Sequence, residues 1–219
     1  MSLRKIPVWD LPLRLFHWAL VAAVSTAIVT GELGGDWMDV HGKAGLTIIG
    51  LVAFRIVWGL VGPAHARFHR FAPTPRRVAD YLRGRWQGLG HNPLGALSVF
   101  ALLALLAVQG TTGLFSNDDI AFSGPLSGRI DEALVSRLTG WHKQLAWVLF
   151  GLLALHMAAI VFYLVVKRRN LVKPMVTGWT QVDAAAPVPA DAAAARAKPL
   201  AFVLALAVAL ATVAAVSWR

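Results

Sequence analysis

Five stretches of this 219-residue chain, 13–31, 41–62, 94–115, 140–166 and 200–218, are apolar over about 20 residues each, enough for a helix to cross a hydrocarbon core of roughly 30 Å. Nothing else in the sequence restricts the fold so strongly. Backbone groups in lipid must bond within their own segment, and the short alternating strands of a barrel are not seen. The fold class is therefore all-α, a transmembrane helical bundle. Composition agrees, with 57% hydrophobic and only 15% charged residues, against about 25% charged in soluble domains. A water-soluble enzyme does not fit that balance.

The net charge of +10 raises the possibility of a nucleic-acid partner, but its distribution gives it another role. Basic residues accumulate in short loops that stay in the cytoplasm. Fifteen of the 21 fall on one side: Arg4, Lys5 and Arg14, then six arginines between Arg67 and Arg85, then six between Lys167 and Lys198. The opposite loops are acidic, with Glu32, Asp36, Asp39, Asp118, Asp119, Asp131 and Glu132. The pattern predicts a multi-pass membrane protein with its N-terminus inside and its C-terminus outside, touching anionic lipid headgroups and no nucleic acid. A basic start before an apolar run also suits a cleaved signal peptide, but no A-x-A-like site follows at Val29 to Glu32, so the first segment is expected to be retained.

Two linkers break the pattern. The loop from Pro63 to Pro93 is punctuated by Pro, Gly and Arg and is expected to hold a short amphipathic helix near Val78 to Trp86. An Ala/Pro-rich tether, densest from Asp183 to Lys198, separates the last segment from the others. This gives a four-helix core over 1–175, a linker over 176–199 and a C-terminal transmembrane helix over 200–219.

The chain has no cysteine, which excludes disulfides, thiolate metal sites, iron–sulfur clusters and covalently attached haem. Any metal centre must rest on histidine or carboxylate. His65, His69 and His91 lie in the basic loop, where a solvated or headgroup-facing place is expected. His17, His41, His142 and His156 are in or at the spans, where ionisable residues tend to face the bundle interior and serve function. His142 and His156 are fourteen residues apart, about 21 Å along a helix and within about 40° of one face. Counting depth from the outer ends pairs His41 with His142, and His17 with His156. Counted from the inner face the second match is looser. The outer count is preferred because the fourth helix can extend beyond the bilayer.

Two imidazoles contributed by two helices, without cysteine, suit non-covalent haem b with both axial positions filled, an arrangement that favours electron transfer. Two such pairs predict two haems b. Gly31, Gly45, Gly110 and Gly113 near the outer pair suit a flat macrocycle between helices, or ordinary small-residue packing. Lys43 and Lys143, each within two residues of an outer histidine, suit haem propionates or interfacial snorkelling. Arg55, deep in its span, suits an inner-haem propionate, or snorkelling or backbone pairing. Met157, turned about 100° from His156, and Met38 are poor axial candidates. Tryptophans at span ends, among them Trp9, Trp37, Trp58, Trp141 and Trp218, read as an interfacial belt.

The ordered set of these residues resembles the bacterial cytochrome b561 family, related to the b-type cytochrome subunits of nickel–iron hydrogenases. The resemblance covers about 7–175. It rests on Trp9-Asp10 and Phe16-His17-Trp18, on His41-Gly42-Lys43 with Gly45, on the run RIVWGLVG from Arg55 to Gly62 followed by Ala66-Arg67-Phe68, on Gly90 to Gly95, and on His142 with His156. It implies a four-helix cytochrome b domain with two bis-histidine haems, ligated by His17, His41, His142 and His156, with no ligand on the third helix. It also implies a link to quinone and a place in the bacterial inner (plasma) membrane, which with the loop charges puts the N-terminus in the cytoplasm and the C-terminus in the periplasm. The fifth helix departs from that pattern and puts the partner in doubt.

The leading expectation is a membrane di-haem cytochrome passing electrons between the quinone pool and a redox partner, either a c-type cytochrome or an oxidoreductase subunit. Whether it counts as an enzyme or as an electron-transfer protein is left open. A second reading is a quinone reductase that oxidises superoxide at the outer haem, with Lys43 and Lys143 attracting the anion. A third, of another class, is a haem-free transporter or scaffold whose histidines bind metal or relay protons.

Overall fold

The computed structural model describes residues 3–86, 88, 90–120, 122–183 and 198–218. Five helices are long and apolar enough to cross a membrane: α1 (Leu11–Leu33), α2 (Met38–Val61), α5 (Pro93–Leu114), α6 (Glu132–Val165) and α8 (Pro199–Ser217). Shorter helices α3 (Phe68–Phe71), α4 (Pro75–Leu82) and α7 (Val172–Thr177) lie between them. The molecule is an all-α transmembrane bundle.

Three spans start on an acid or amide side chain that takes a free backbone N–H of the first turn. Asp10 Oδ1 accepts from Leu13 N at 2.9 Å, Asn92 Oδ1 from Gly95 N at 2.7 Å, and Asp131 Oδ1 from Leu134 N at 2.9 Å. The Asp131 cap explains why α6 begins at Glu132, eight residues before the apolar stretch. At 34 residues it measures about 51 Å, well beyond a bilayer core of about 30 Å. In the basic loop α4 begins earlier than expected, because Thr74 caps it and Pro75 occupies its first position, and it stops at Leu82, ahead of Trp86.

The chain divides into two compact units. One comprises Met1–Leu15, Ile56–Ala101 and Ala154–Leu204, and it contains a feature that hydropathy does not announce. Strand β1 (Leu3–Pro7) pairs antiparallel with β2 (Trp179–Asp183), from Leu3 opposite Asp183 to Pro7 opposite Trp179. The turn into β2 runs through Gly178 at φ +85°, a conformation that favours glycine, and the Gly178 carbonyl accepts from Val8 N and Trp9 N. Thus α7 and β2 occupy part of the stretch assigned by composition to the linker. The Ala/Pro-rich run at 184–197 lies outside the described residues.

Trp58 in this unit is fully buried rather than part of an interfacial belt. Its indole N–H donates to Asp10 Oδ1 at 3.1 Å, and its ring meets Phe202 edge-on. Trp37, Trp141 and Trp218 are exposed, as a belt requires. His91 is half-buried rather than free in solvent: its ring sits 4.5 Å from that of Trp9 and 4.6 Å from that of Phe71. Tyr163 on α6 accepts from Asn92 Nδ2 at 2.7 Å and hydrogen-bonds Tyr81, tying α4 to the span.

The other unit comprises Phe16–Arg55, Leu102–Leu153 and Ala205–Arg219. Its core joins Ala23 and Val24 of α1, Ile48 and Val52 of α2, Leu106 of α5 and Leu149 of α6. Here α8 lies on α2, where a Cβ added at Gly50 would stand 2.8 Å from Val213. The Arg129 guanidinium donates to the Trp218 carbonyl at 2.9 Å, placing a cation at the negative end of α8.

Candidate functional site

Of the two histidine pairs expected from depth, His41 and His142 belong to the same unit and face each other. Their ring centroids are 6.0 Å apart with the planes at 89°. Two metal–imidazole bonds of about 2 Å each, plus roughly 1 Å from each nitrogen to its ring centre, span about 6 Å. The separation of the rings is therefore that of two imidazoles sharing one metal ion.

Backbone carbonyls decide which nitrogen each ring offers. A carbonyl oxygen can only accept, so the ring nitrogen beside it carries the proton. His41 Nδ1 donates to the Ala27 carbonyl at 2.8 Å, and His142 Nδ1 donates to the Gln109 carbonyl at 3.0 Å. Both rings are thereby held as the tautomer that carries no proton on Nε2, the form a metal ligand requires.

The surroundings suit a flat ligand rather than a bare ion. Among the described residues, no group of three or more His, Cys, Asp or Glu could hold a metal ion. Two histidines alone supply two of the positions a metal needs, and a macrocycle with four ring nitrogens would supply the rest. Cavities of about 340 Å³ and 110 Å³ flank the pair, and both are lined by His41, His142, Gly45, Gly110, Met38 and Lys143. A Cβ at Gly31 would come 3.0 Å from His41 Nδ1, and one at Gly113 would come 2.9 Å from His142 Cε1, so each ring lies directly against a glycine. A Cβ at Gly45 would meet nothing within 4 Å. Trp147 and Phe150 add an aromatic wall to the larger cavity.

The other expected residues take varied places. Lys143 is exposed and lines both cavities, whereas Lys43, also exposed, lines neither. Arg55 is 1% exposed, a charge held inside α2. His17, half-buried on α1, has its ring edge-on to Trp18 at 5.1 Å and belongs to the same unit as the outer pair. His156 belongs to the other unit, half-buried on α6, with its Nδ1 3.4 Å from Ser98 Oγ.

Sequence reasoning missed the contribution of the α1 and α5 backbones and that of Gln109 and Thr112. The carbonyl of Ala27 carries no sequence signal. Gln109 does carry one, as a polar side chain inside an otherwise apolar segment.

Comparison with known proteins points the same way. The family model for prokaryotic cytochrome b561 matches residues 8–178. A probable Ni/Fe-hydrogenase B-type cytochrome subunit from Azotobacter chroococcum is 26% identical over 209 residues, covering 78% of this chain and 87% of the relative. The protein of the same description from Azotobacter vinelandii is 27% identical over 217 residues, with the same coverage. Its counterpart in Cupriavidus necator is 24% identical over 81% of this chain and 88% of the relative. No solved structure matches. Since the family match runs from the residues before the first span to the turn before β2, taking in all four membrane histidines, this chain belongs to the prokaryotic cytochrome b561 family.

Proposed function

We propose that the protein is a membrane di-haem b-type cytochrome carrying electrons between the quinone pool and a redox partner protein. The observation that carries this reading is the facing pair His41 and His142, each with Nδ1 engaged by a backbone carbonyl. They would hold the outer haem, and His17 with His156 would hold the inner one. Bound haem b supplies a reversible one-electron change at its iron.

The protein's own groups do the rest. Two neutral imidazoles would hold the haem iron, favouring electron exchange over the binding of outside ligands. The apolar cavity walls exclude water and lower the local dielectric. Lys143, with Lys43 nearby on α2, would offset the propionate charge of the outer haem, and Arg55 that of the inner one. The relatives are described as cytochrome subunits of Ni/Fe hydrogenases, so an oxidoreductase subunit of that kind is the partner we favour. We place the protein in the bacterial inner membrane, with the N-terminus cytoplasmic and the helix α8 terminus periplasmic, on the positive-inside asymmetry of its loops.

The direct test is a reduced-minus-oxidised visible spectrum of the purified protein with pyridine haemochrome quantification. About two low-spin haems b per chain are expected. A folded protein without haem, expressed with adequate haem supply, refutes the reading, and a single haem refutes its di-haem part.

The glycine beneath the ligand ring gives a sharper prediction. In Gly113→Ala the new methyl would lie 2.9 Å from His142 Cε1, closer than van der Waals contact allows. The ring must turn away from the Gln109 carbonyl or the helices must part, at a cost of about 1–3 kcal/mol. The haem-to-protein ratio should fall in this variant, with the loss confined to one of the two spectral components.

A further inference from the structure

α5 brings no histidine to the outer site, yet it makes more polar contacts with His142 than the helix carrying His41 does. The His142 Nδ1–H donates to the Gln109 carbonyl at 3.0 Å. In return the Gln109 side-chain amide donates through Nε2 to the His142 main-chain carbonyl, also at 3.0 Å. Each residue thus uses its side chain to bond the other's backbone, which fixes the two helices at two points around one imidazole. Thr112, one turn further on and 5% exposed, brings its Oγ1 to 3.3 Å from the same Nδ1 while donating to the Val108 and Gln109 carbonyls. Gly113 supplies the space for the ring.

The Gln109 side chain also borders the metal side of the ring. Its Nε2 is 3.5 Å from His142 Nε2, the nitrogen left open by the tautomer, and the residue lines the larger cavity. The amide orientation follows from its partner, because a carbonyl oxygen needs a donor opposite it. Gln109 Oε1 is then buried with no protein hydrogen-bond partner. An amide inside an apolar span is costly unless it is used.

We propose that Gln109 is a positioning residue that sets the orientation and basicity of His142, and through it the reduction potential of the outer haem; this rests on the ligand role given to His142 above. A firm acceptor on Nδ1–H makes the opposite nitrogen a stronger donor to iron and stabilises the oxidised state. Gln109→Met keeps the length and bulk of the side chain but removes the donor, so the carbonyl at 109 is no longer locked onto Nδ1.

The test is a spectroelectrochemical titration of the purified full-length protein and of Gln109→Met, with low-temperature electron paramagnetic resonance of the oxidised forms. The outer haem is assigned by its loss in His142→Ala. We expect its midpoint to rise in Gln109→Met by an amount corresponding to about tenfold weaker relative stabilisation of the oxidised form, roughly 59 mV for one electron. Its low-spin signal should shift as the ring reorients, while the other haem keeps both midpoint and signal. Unchanged outer-haem midpoint and signal at wild-type haem content overturn the proposal. So does an equal shift of both haems, which marks general loosening. A His142→Ala protein that keeps its full haem complement overturns the ligand assignment itself, and is told apart from failure at Gln109 because that protein retains Gln109.

Discussion

Replacing His142 by alanine is expected to lower the haem content from about two haems b per chain to about one, with the remaining haem spectrally unchanged. Alanine takes away one of the two rings that stand 6.0 Å apart and leaves the Gln109 carbonyl without the Nδ1–H it accepts. His156 lies on the same helix but about 21 Å further along, too far to share the lesion. His41→Ala should reproduce the result, because it removes the opposite ring of the same pair. Pyridine haemochrome assay and redox titration read both outcomes. Loss of both haems from a protein that still folds would show that the two sites are not independent.

The largest effect on stability is expected at Trp58. Trp58 is 0% exposed, its indole N–H donates to Asp10 Oδ1, and the same oxygen caps α1. Trp58→Ala empties the space of an indole and withdraws one of the donors to a buried carboxylate. Large aromatic truncations cost about 3–5 kcal/mol, and the lower end suits a lipid environment, where the hydrophobic gain of burial is smaller. A loss of about 3 kcal/mol corresponds to a Tm lower by roughly 6–12 °C for a chain of this size, measured in detergent by tryptophan fluorescence or circular dichroism. Trp58→Phe refills most of the space and should lose about 1.5 kcal/mol, the lower value for a hydrogen bond to a charged group. If the two variants melt alike, packing at this position contributes little.

These residues also show what a linear reading reaches. The five spans were legible because a run of about twenty apolar residues has the length of a bilayer crossing and is too long for the core of a small soluble domain. The facing of His41 and His142 was legible because helical rise turns residue number into depth. The extra turns of α6 were not, since Glu132, Ser136 and Arg137 break the apolar run while the Asp131 cap still starts the helix. Trp58 has the position of a belt tryptophan, and only its distant partner Asp10 shows that it points inward. Strands β1 and β2 lie more than 170 residues apart, and neither LRKIP nor WTQVD carries a pattern that names its mate. The reciprocal bonds between Gln109 and His142 are of the same kind: each residue is visible alone, and the relation between them exists only once two helices are side by side.

The pairing of β1 with β2 carries a counting rule. Two strands that share backbone hydrogen bonds occupy the same aqueous compartment, so the chain between Pro7 and Trp179 must traverse the bilayer an even number of times. α1, α2, α5 and α6 satisfy that parity, and they are the spans within the family's matched region. α8 follows the strands and stands outside that count; on the orientation proposed above, its crossing would end in the compartment opposite the one that holds them. Whichever compartment holds the strands, the four inner spans form a closed circuit returning to its own starting side, and α8 is not needed to close it.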